Sequence, residues 1–397
     1  MIKRKTRKEN MFIISLGIVV LILCGALVWI KISSNTTSYF EKKDIPKIEI
    51  PKPVSASSCL LFTGTTFWGR RTNTASRNSE LGVEYPFAKL NTLKREKYQA
   101  WIGNLECPIT ENDHTEYEEE TLLIFNCHTD YLNEVAKYFT AFSLGTNHAD
   151  NWEEEGIKKT KENLDSVGIQ YFGHYRYDND TENCSIVVIP VKVELENGQT
   201  VEHSIPLGLC SAHGVFGVPT ASALDNIAHY AKILPTIVMP HMGVEYESQA
   251  DELRTNLFRK MIDLGADMVL ADHPHWIQNS ESYNGHLIVY SMGNFMFDQQ
   301  AVETNRSAAI DVTANIDKNT DFDAWEDLSN ICLEKKGDCL EDIIAKDLPR
   351  LDIKWENYDF VATIDTDYQT RLADEAERTR INERLNWPTT LSGLNSN

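Results

Sequence analysis

The sequence ADHPHWIQNSESYNGHLIVYSMGNFMFD, residues 271–298, decides the fold that we predict for this chain. It opens with His273 and His275, crosses the apolar run 287–290 and then reaches Asn294. Apolar runs that alternate with loops of histidine and asparagine are typical of α/β sheets, whose strand ends present binding sites. We therefore interpret the rest of the chain as the scaffold of a site at strand ends.

The same pattern recurs before this stretch, because several short apolar runs each lead into a polar loop. The predicted strands are 59–62, 100–102, 141–144, 236–239 and 268–270. The polar side chains at the strand exits are those of Asn104, Glu106, Asn147, His148, Asp150, His241, His273, His275 and Asn294. Strands that alternate with helices, such as the helix predicted at 248–264, indicate a layered α/β domain.

Two hairpins and a terminal helix are predicted from alternating apolar residues. The first hairpin turns at Asn197-Gly198, a dipeptide that favours two-residue turns, and its second strand is predicted to end at Leu207. The second hairpin turns near Asn357, and a charged helix is predicted at 366–385.

The chain has 397 residues and a formal net charge of -21, although five lysines and arginines lie within the first ten residues. A body this acidic is unsuited to nucleic acid, and it would need a bound cation or a local basic patch to hold an anionic polymer. Hydrophobic residues make up 42% of the chain, which is enough to form a buried core. We expect one large domain or two.

The N-terminal part predicts a membrane anchor. Residues 11–30 carry no charge and are long enough to cross a bilayer as a helix. The basic flank before them predicts a cytoplasmic N-terminus and an extracytoplasmic body, and a cleaved signal peptide is the alternative. The predicted organisation is a cytoplasmic basic tail at 1–10, a transmembrane anchor at 11–31, an extended linker at 32–57, a main domain at 58–300, and C-terminal strands and a helix at 301–397 with an acidic insertion near 320–346.

Seven of the eight cysteines lie after the predicted anchor, where an oxidising compartment favours pairing. We expect at least one free thiol, because seven is an odd number. Cys184 and Cys210 are interpreted as small buried apolar residues. Two pairs could form, Cys107 with Cys127 and Cys332 with Cys339.

The exit residues combine imidazole, carboxylate and amide groups, which together suit a divalent manganese, zinc or iron ion. Such an ion would polarise a phosphoryl or acyl oxygen and lower the pKa of a bound water. Two exit residues predict acid–base chemistry beside the ion. His148 is placed to act as a general acid, and Asp150 is placed to orient it.

Structural roles are the alternative for the same residues. Asn147 could bond the backbone of its own turn, and Glu106 could pair with Arg70 or Arg71. His213 and the histidines outside the strand exits are interpreted as structural or surface residues. Any one of these residues is a weak signal, and the hypothesis of a site rests on their occurring together at strand exits.

Five motifs follow one another along the chain: NLECPIT (104–110), GTNHADN (145–151), PHMGVEYE (240–247), DHPHWIQ (272–278) and YSMGNFMFDQ (290–299). In this order they resemble the CapA-type capsule synthesis proteins, which are implicated in making or exporting poly-γ-glutamate capsule. The resemblance covers 59–299, and the order of the motifs makes it specific. It implies the fold of the calcineurin-like metallophosphatases, a β-sandwich flanked by helices with a two-metal site at the strand exits.

The resemblance also implies roles for the exit residues. The implied metal ligands are Glu106, Asn147, His241, His273 and His275. His148 takes the position of the phosphatase acid, while Arg70, Arg71, Asn104 and Asn294 are the predicted substrate-binding residues.

The chain departs from the family at the end of its first strand. The family usually has Gly-Asp there, and the Asp is a metal ligand, whereas Gly64 is followed by Thr65 in this chain. A neutral hydroxyl is a poorer ligand for a divalent ion than a carboxylate. Asp272 is the residue that could compensate.

We therefore expect a membrane-anchored, extracytoplasmic CapA-like protein that acts on an anionic envelope polymer or phosphoester. As an enzyme it would be a metal-dependent phosphoesterase-like hydrolase, and membrane-embedded capsule synthesis proteins are its expected partners. The alternative is a non-catalytic scaffold that binds polymer or assists a ligase and carries a degenerate metal site. A general envelope hydrolase unrelated to capsule is a third hypothesis.

Overall fold

A long first strand, β1 (Pro53–Thr66), organises the sheet of this protein. The structure, a computed structural model, describes residues 51–111, 114–176 and 181–395. The further strands are β2 (Ala100–Leu105), β3 (Ile109–Thr110), β4 (Cys127–His128), β5 (Ala141–Ser143), β6 (Gln170–Phe172), β7 (Cys184–Leu195), β8 (Thr200–His213), β9 (Thr236–His241), β10 (Met268–Leu270), β11 (Ser280–Tyr283), β12 (His286–Val289), β13 (Asn294–Met296), β14 (Arg306–Ile316), β15 (Ile353–Thr366) and β16 (Gln369–Leu372).

The helices lie mainly between the strands and after the last of them. They are α1 (Arg70–Arg77), α2 (Glu116–Leu122), α3 (Leu132–Val135), α4 (Glu153–Ser166), α5 (Ala221–Ile233), α6 (Glu252–Asp263), α7 (Phe322–Glu334), α8 (Leu340–Lys346), α9 (Glu375–Leu385) and α10 (Trp387–Leu394). Short 3-10 turns cover the segment between α1 and β2. The predicted α/β class is therefore confirmed.

The large sheet branches at β1. Along one path the strand order is β11-β12-β10-β9-β8-β7-β1-β14-β15-β16, and from β1 a second path runs through β2 and β5 to β6. The pairs β1–β2 and β2–β5 are parallel, as are β8–β9, β9–β10 and β10–β12. Because parallel neighbours end at the same edge, the loops after these strands gather in two adjacent groups.

The two paths share one hydrophobic core. Leu60 and Phe62 of β1 and Ile102 of β2 belong to the same buried cluster as Leu207 of β8 and Val238 of β9. Alternate residues point to opposite faces of a strand, so the first core covers only one face of the β1–β2–β5 path. The packing of both paths against this core fixes the position of the strand exits.

A second core covers that other face. Leu61, Trp101 and Phe142 alternate with the residues of the first core and are completely buried. Helix α4 supplies Ile157 and Leu164 to this second core. An acidic first turn begins α4, where glutamates interact favourably with the helix dipole.

The N-terminal end of β1 lies inside the range predicted as a linker. Residues Pro53 and Ser57 pair with Leu195 and Lys192 of β7, so the backbone of this segment is in the sheet. The predicted anchor at 11–31 and the tail before it lie outside the described residues. None of the helices in the described part of the chain combines the length and apolar character needed to cross a bilayer.

The first hairpin forms as predicted around Gly198, whose φ of +78° suits a residue without a side chain. The second predicted hairpin is wrong, because β15 continues through Asn357 as one strand. Both halves of β15 pair with β14, and the register shifts between Asp311 and Thr313. Asn357 does adopt a turn-like backbone, with φ of +53°, but it does so at an irregularity within the strand and the chain does not reverse.

Two further segments differ from their prediction near the C-terminus. The start of the predicted helix 366–385 is strand β16, and α9 begins only after Asp374, which caps it through the backbone N–H of Glu377. The segment predicted as an acidic insertion holds α7 and α8, and α7 buries Phe322 and Trp325 in the first core.

Three disulfides join described residues. Two are the pairs considered from the sequence, Cys107–Cys127 and Cys332–Cys339. The third, Cys184–Cys210, corrects the interpretation of these residues as free apolar cysteines: they lie directly opposite each other in the β7–β8 ladder. Cys59 is the cysteine left unpaired among the described residues.

Asp365 of β15 predicts a pH-dependent stability. Its carboxylate is buried and accepts a hydrogen bond from the Phe297 N–H at 3.1 Å. Burial raises the pKa of Asp365 to about 7, and the charge of Asp298 adds to the shift. The folded chain therefore keeps a proton that the unfolded chain loses above about pH 4, so this contribution to stability is lost as the pH rises from about 4 through 7.

Asp365→Asn should remove that part of the pH dependence. At pH 8 we expect the variant to be more stable than the wild type by about 1–4 kcal/mol, with little difference at pH 4. Urea unfolding at both pH values measures the change. Equal pH slopes for the two proteins would contradict it, and Asp352→Asn tests a general effect of removing an acid.

Candidate metal centre

Three buried side chains from separate strand exits converge. Glu106 follows β2, His241 ends β9 and His273 follows β10. Each offers one ligand atom, and these atoms all lie within 4.8 Å of one another. Three groups that are distant in the sequence thus form one cluster because parallel strands bring their exits together.

The hydrogen bonding of this cluster fits a cation. Neither carboxylate oxygen of Glu106 has a hydrogen-bond partner among the described residues, and the same holds for both oxygens of Asp272 and for Nδ1 of His273. Buried polar atoms are normally paired, and an uncompensated buried carboxylate is costly. Carboxylate and imidazole are ligands that manganese, zinc and iron accept. The donor set therefore fits one divalent ion held by Glu106, His241 and His273.

The electrostatics of the cluster agree with that fit. Burial alone would raise the pKa of the Glu106 carboxyl, but the charge of His275 and the contact with His241 outweigh it and lower that pKa to about 2. Burial and the neighbouring His241 lower the pKa of His273 to about 2. Burial raises the pKa of Asp272 well above its ordinary value, with the charge of Glu106 as the next cause. An ionised glutamate and a neutral imidazole are the forms that bind metal.

Two asparagines hold His241 in place. The side-chain amide of Asn104 lies 2.8 Å from His241 Nδ1, and His241 Nε2 lies 2.8 Å from Asn147 Oδ1. The same Nε2 is 3.6 Å from Glu106 Oε1. Asn147 therefore adds an amide oxygen at the edge of the cluster, whereas Asn104, predicted as a substrate-binding residue, is buried behind the imidazole and orients it.

A chain of hydrogen bonds holds His275. His275 Nδ1 donates to Asn294 Oδ1 at 2.9 Å, Asn294 Nδ2 donates to Gln299, and Gln299 donates to the hydroxyl of Tyr246. His275 is outside the group of three ligand atoms, although its ring centroid is 6.1 Å from that of His273. The structure thus places Asn294 against His275 rather than in an open cleft.

The residue that orients His148 is Asn151, not the predicted Asp150. Asn151 Oδ1 accepts a hydrogen bond from the Phe125 N–H at 2.6 Å and lies 3.0 Å from His148 Nδ1. Because that oxygen already accepts from a backbone N–H, His148 Nδ1 must be the donor, which leaves Nε2 as its acceptor nitrogen. Asp150 accepts a hydrogen bond from Asn151 Nδ2 at 3.2 Å, so it is linked to His148 only through Asn151.

An aromatic contact fixes the plane of the same imidazole. The rings of His148 and Phe125 are stacked, with centroids 3.6 Å apart and an interplanar angle of 6°. Burial lowers the pKa of His148, and the charge of Glu106 partly offsets that effect. The imidazole is therefore held rigidly in its neutral form at neutral pH.

The predicted anion-binding arginines have partners of their own. Arg70 Nη2 lies 2.6 Å from Asp298 Oδ1, and its guanidinium is 4.1 Å from the ring centroid of Phe125. Arg71 pairs with Glu120 at 2.7 Å on the surface. Arg70 is buried, so its position indicates support for Phe125 more directly than contact with a ligand.

Thr65 is the residue predicted to replace an acidic metal ligand at the end of β1. It lies in register with Asn104 of β2 on one side and with Asn294 of β13 on the other. Its hydroxyl is buried and has no hydrogen-bond partner in the part of the chain that the structure describes. Thr65 therefore lies between two asparagines in the sheet and brings no negative charge to this position.

His213, predicted to be a structural or surface residue, is a neighbour of the site. It ends β8 and lies opposite His241 in the parallel β8–β9 ladder, and its Nε2 is buried without a partner among the described residues. Its Nδ1 contacts the carbonyl oxygen of Tyr175. Its position at the end of a strand could have identified it as a site residue. It was not identified because the second hairpin strand was predicted to end at Leu207, six residues earlier.

The comparisons with known proteins agree on one family. Residues 59–299 match the model of the bacterial capsule synthesis protein PGA_cap, which is more than half of the chain. The "PGA biosynthesis protein CapA" of Bacillus subtilis (strain 168) is 28% identical over 279 residues, which cover 66% of this chain and 70% of that protein. The "Capsule biosynthesis protein CapA" of Bacillus anthracis is 26% identical over 243 residues, which cover 58% of this chain and 57% of that protein.

A solved structure, TT1561 of Thermus thermophilus, aligns with 64% of this chain and 93% of its own with a TM-score of 0.34 and 10% sequence identity.

Proposed function

Because the chain belongs to the bacterial capsule synthesis protein family PGA_cap, we propose that it is a metal-dependent hydrolase of envelope polymer synthesis or export, with its active site at the strand exits. Its substrate is an anionic polymer, such as poly-γ-glutamate, or a phosphoester. The named relatives support the capsule context. The fold of the calcineurin-like metallophosphatases is part of the same proposal.

One observation carries the proposal. The two carboxylate oxygens of Glu106 are completely buried, lack hydrogen-bond partners among the described residues and lie beside two imidazoles. A purely structural glutamate would normally be paired with donors. A cation is the partner that this arrangement lacks.

Each residue has a defined task in the proposed reaction. A divalent ion held by Glu106, His241 and His273 would supply Lewis-acid polarisation of the scissile phosphoryl or acyl group. Asn104 and Asn147 keep the His241 imidazole in a fixed orientation. These contacts are prepared before substrate arrives, which lowers the reorganisation needed during the reaction.

His148 moves the proton. Its Nδ1–H is committed to Asn151, so the exchangeable position is Nε2. In the neutral form His148 would take a proton at Nε2 from the attacking water, whose oxygen bonds to the phosphoryl or acyl group, and would return that proton to the leaving group as its bond breaks. The stacked Phe125 keeps water from one face of the ring.

A non-catalytic scaffold is the second candidate, and Thr65 is the observation that favours it. A neutral hydroxyl in place of a carboxylate weakens one metal position. In that case the cleft binds polymer or assists a membrane-embedded ligase, and its polar residues are retained for binding alone.

Thr65→Asp distinguishes the two functions. If the site is a hydrolase site with one weak position, the full chain with this substitution should bind Mn²⁺ about tenfold more tightly or more, and cleave bis(p-nitrophenyl) phosphate faster. Thr65→Asn is the matched control, because it adds a side chain of similar size without charge. Wild-type protein that binds neither Mn²⁺ nor Zn²⁺, with no gain in Thr65→Asp, would favour the scaffold.

The proposed location is the outer face of the cell membrane. The uncharged residues 11–30 with their basic flank support a single-pass anchor. The three disulfides support an oxidising compartment for the body. Alkaline phosphatase fused after Asn397 should be active in cells, and an inactive fusion that is stably expressed would contradict this location.

A further inference from the structure

A group of exposed hydrophobic side chains lies beside the candidate metal centre. The apolar rim consists of Phe216, Val218, Val244, Tyr246 and Leu253, which are between 43% and 65% exposed. They come from the segments that follow β8 and β9 and from the first turn of α6. Single exposed hydrophobic residues are ordinary, but a group of them beside a cleft marks a binding surface.

Three residues of the apolar rim, Phe216, Val218 and Leu253, line a cleft of about 250 Å³. One wall is the segment 214–219, which includes Phe216 and Val218, and the other is α6 with Leu253 and Leu257. Met242 lines the same cleft. Most of the side chains that line the cleft are apolar, as in sites that take the carbon skeleton of a ligand, while Arg254 adds a polar group.

The cleft lies next to the candidate metal centre, because the ring of its residue Phe216 is 5.5 Å from that of His213, the partner of His241 in the β8–β9 ladder. Its residue Met242 follows His241 directly, and the backbone N–H of Met242 donates to the carbonyl of Asp272 at 3.0 Å. Its first wall starts at Gly214, whose N–H donates to the carbonyl of His241 at 3.0 Å. The cleft therefore begins one residue away from His241, on the loops that follow β8 and β9.

The charges of the rim decide which ligand fits. Glu245, Glu247 and Glu252 stand among the apolar residues, and the one arginine of the cleft, Arg254, is paired with Asp251 at 2.6 Å. An acidic rim repels an anionic bilayer or a polyanion laid across it. An anionic group is accommodated only where a cation is held, which is the metal centre.

We propose that the cleft beside the metal centre receives the apolar chain of an amphiphilic substrate, while the anionic group of that substrate binds at Glu106, His241 and His273. This inference rests on the proposed metal-dependent function and narrows its substrate to an amphiphile with one anionic group, such as a phosphoester, in place of a polyanion. The substrate carries a carboxylate or phosphate next to an aliphatic chain of several carbons.

The test uses a series of n-alkyl phosphonates, from methyl to hexyl, titrated into the Mn²⁺-loaded full chain by calorimetry. The affinity of the wild type should rise by about threefold to fourfold with each methylene, because each is removed from water. In the double variant Phe216→Ser/Val218→Ser this dependence on chain length should be largely lost. Both residues are exposed, so the variant should fold, and circular dichroism and thermal unfolding verify this.

Leu81→Ser is the matched control, since Leu81 is similarly exposed but lies outside the rim. It should keep the wild-type dependence on chain length. A wild type that binds Mn²⁺ and methyl phosphonate with no gain from longer chains would overturn the cleft proposal and leave the proposed function intact. A gain with chain length in a wild type that binds no metal would support the cleft and overturn the metal-dependent function.

Two other results would also overturn the cleft proposal. The first is a full gain with chain length in Phe216→Ser/Val218→Ser, because the chain would then bind elsewhere. The second is a wild-type dimer that becomes a monomer in this variant on sedimentation, because a second copy of the chain would then cover the rim.

Discussion

Glu106→Gln is expected to lower the affinity of the full chain for Mn²⁺ and Zn²⁺ by more than about 100-fold, beyond the 10–100-fold that loss of an outer partner of a metal ligand costs. Glu106 is the one carboxylate in the group of three ligand atoms, and both of its oxygens lack partners among the described residues. Glutamine keeps the volume of the side chain but removes its charge. Calorimetry and the metal content of dialysed protein measure the effect.

Glu245→Gln is the matched control. Glu245 lies 3.9 Å from His273 Nε2 but is half exposed and outside the cluster. We expect its effect on metal affinity to be severalfold at most. Equal losses in the two variants would indicate a general electrostatic effect of the acidic surface, and wild-type affinity in Glu106→Gln would place the ion elsewhere.

Arg70→Leu should destabilise the protein by about 3–5 kcal/mol, the usual cost of removing one partner from a buried ion pair. The substitution leaves Asp298 buried without its cation and removes the guanidinium that covers Phe125. Urea unfolding at pH 8 measures the loss, because the Asp298 carboxyl is then either ionised without a partner or protonated at a cost in free energy. The neighbouring Arg71 provides the control.

Arg71→Leu should change stability by less than about 1 kcal/mol, since its pair with Glu120 is exposed to solvent. The double variant Arg70→Leu/Asp298→Leu should recover much of the loss, because it removes both buried charges. If Arg70→Leu were as mild as Arg71→Leu, the buried pair would not hold the loop that carries Phe125.

The strand exits were predictable from the sequence because parallel neighbours end at one edge of a sheet. Glu106, His241 and His273 could therefore be grouped although more than 160 residues separate the first from the last. Which partner orients each imidazole could not be predicted in this way. Asn151 and Asp150 are both polar and adjacent, and only the backbone N–H of Phe125 shows which one faces His148.

Errors in the predicted fold arose where local signals competed with sheet pairing. Asn357 favours a turn locally, but β14 offers partners to both halves of β15, so the strand continues. Cys184 and Cys210 could not be paired without the register of the β7–β8 ladder. The missed His213 has the same origin, because the extent of a hairpin strand depends on its neighbour more than on its own alternation.

The disulfide Cys107–Cys127 links the site to the redox state of its surroundings. Cys107 is the residue after Glu106, and Cys127 is two residues after Phe125, the ring that stacks on His148. One covalent bond thus joins the residue after the proposed ligand Glu106 to the segment that carries Phe125. A chain that folds in a reducing cytosol would lack this disulfide. Metal-binding and activity measurements on protein made there would therefore describe a less rigid site.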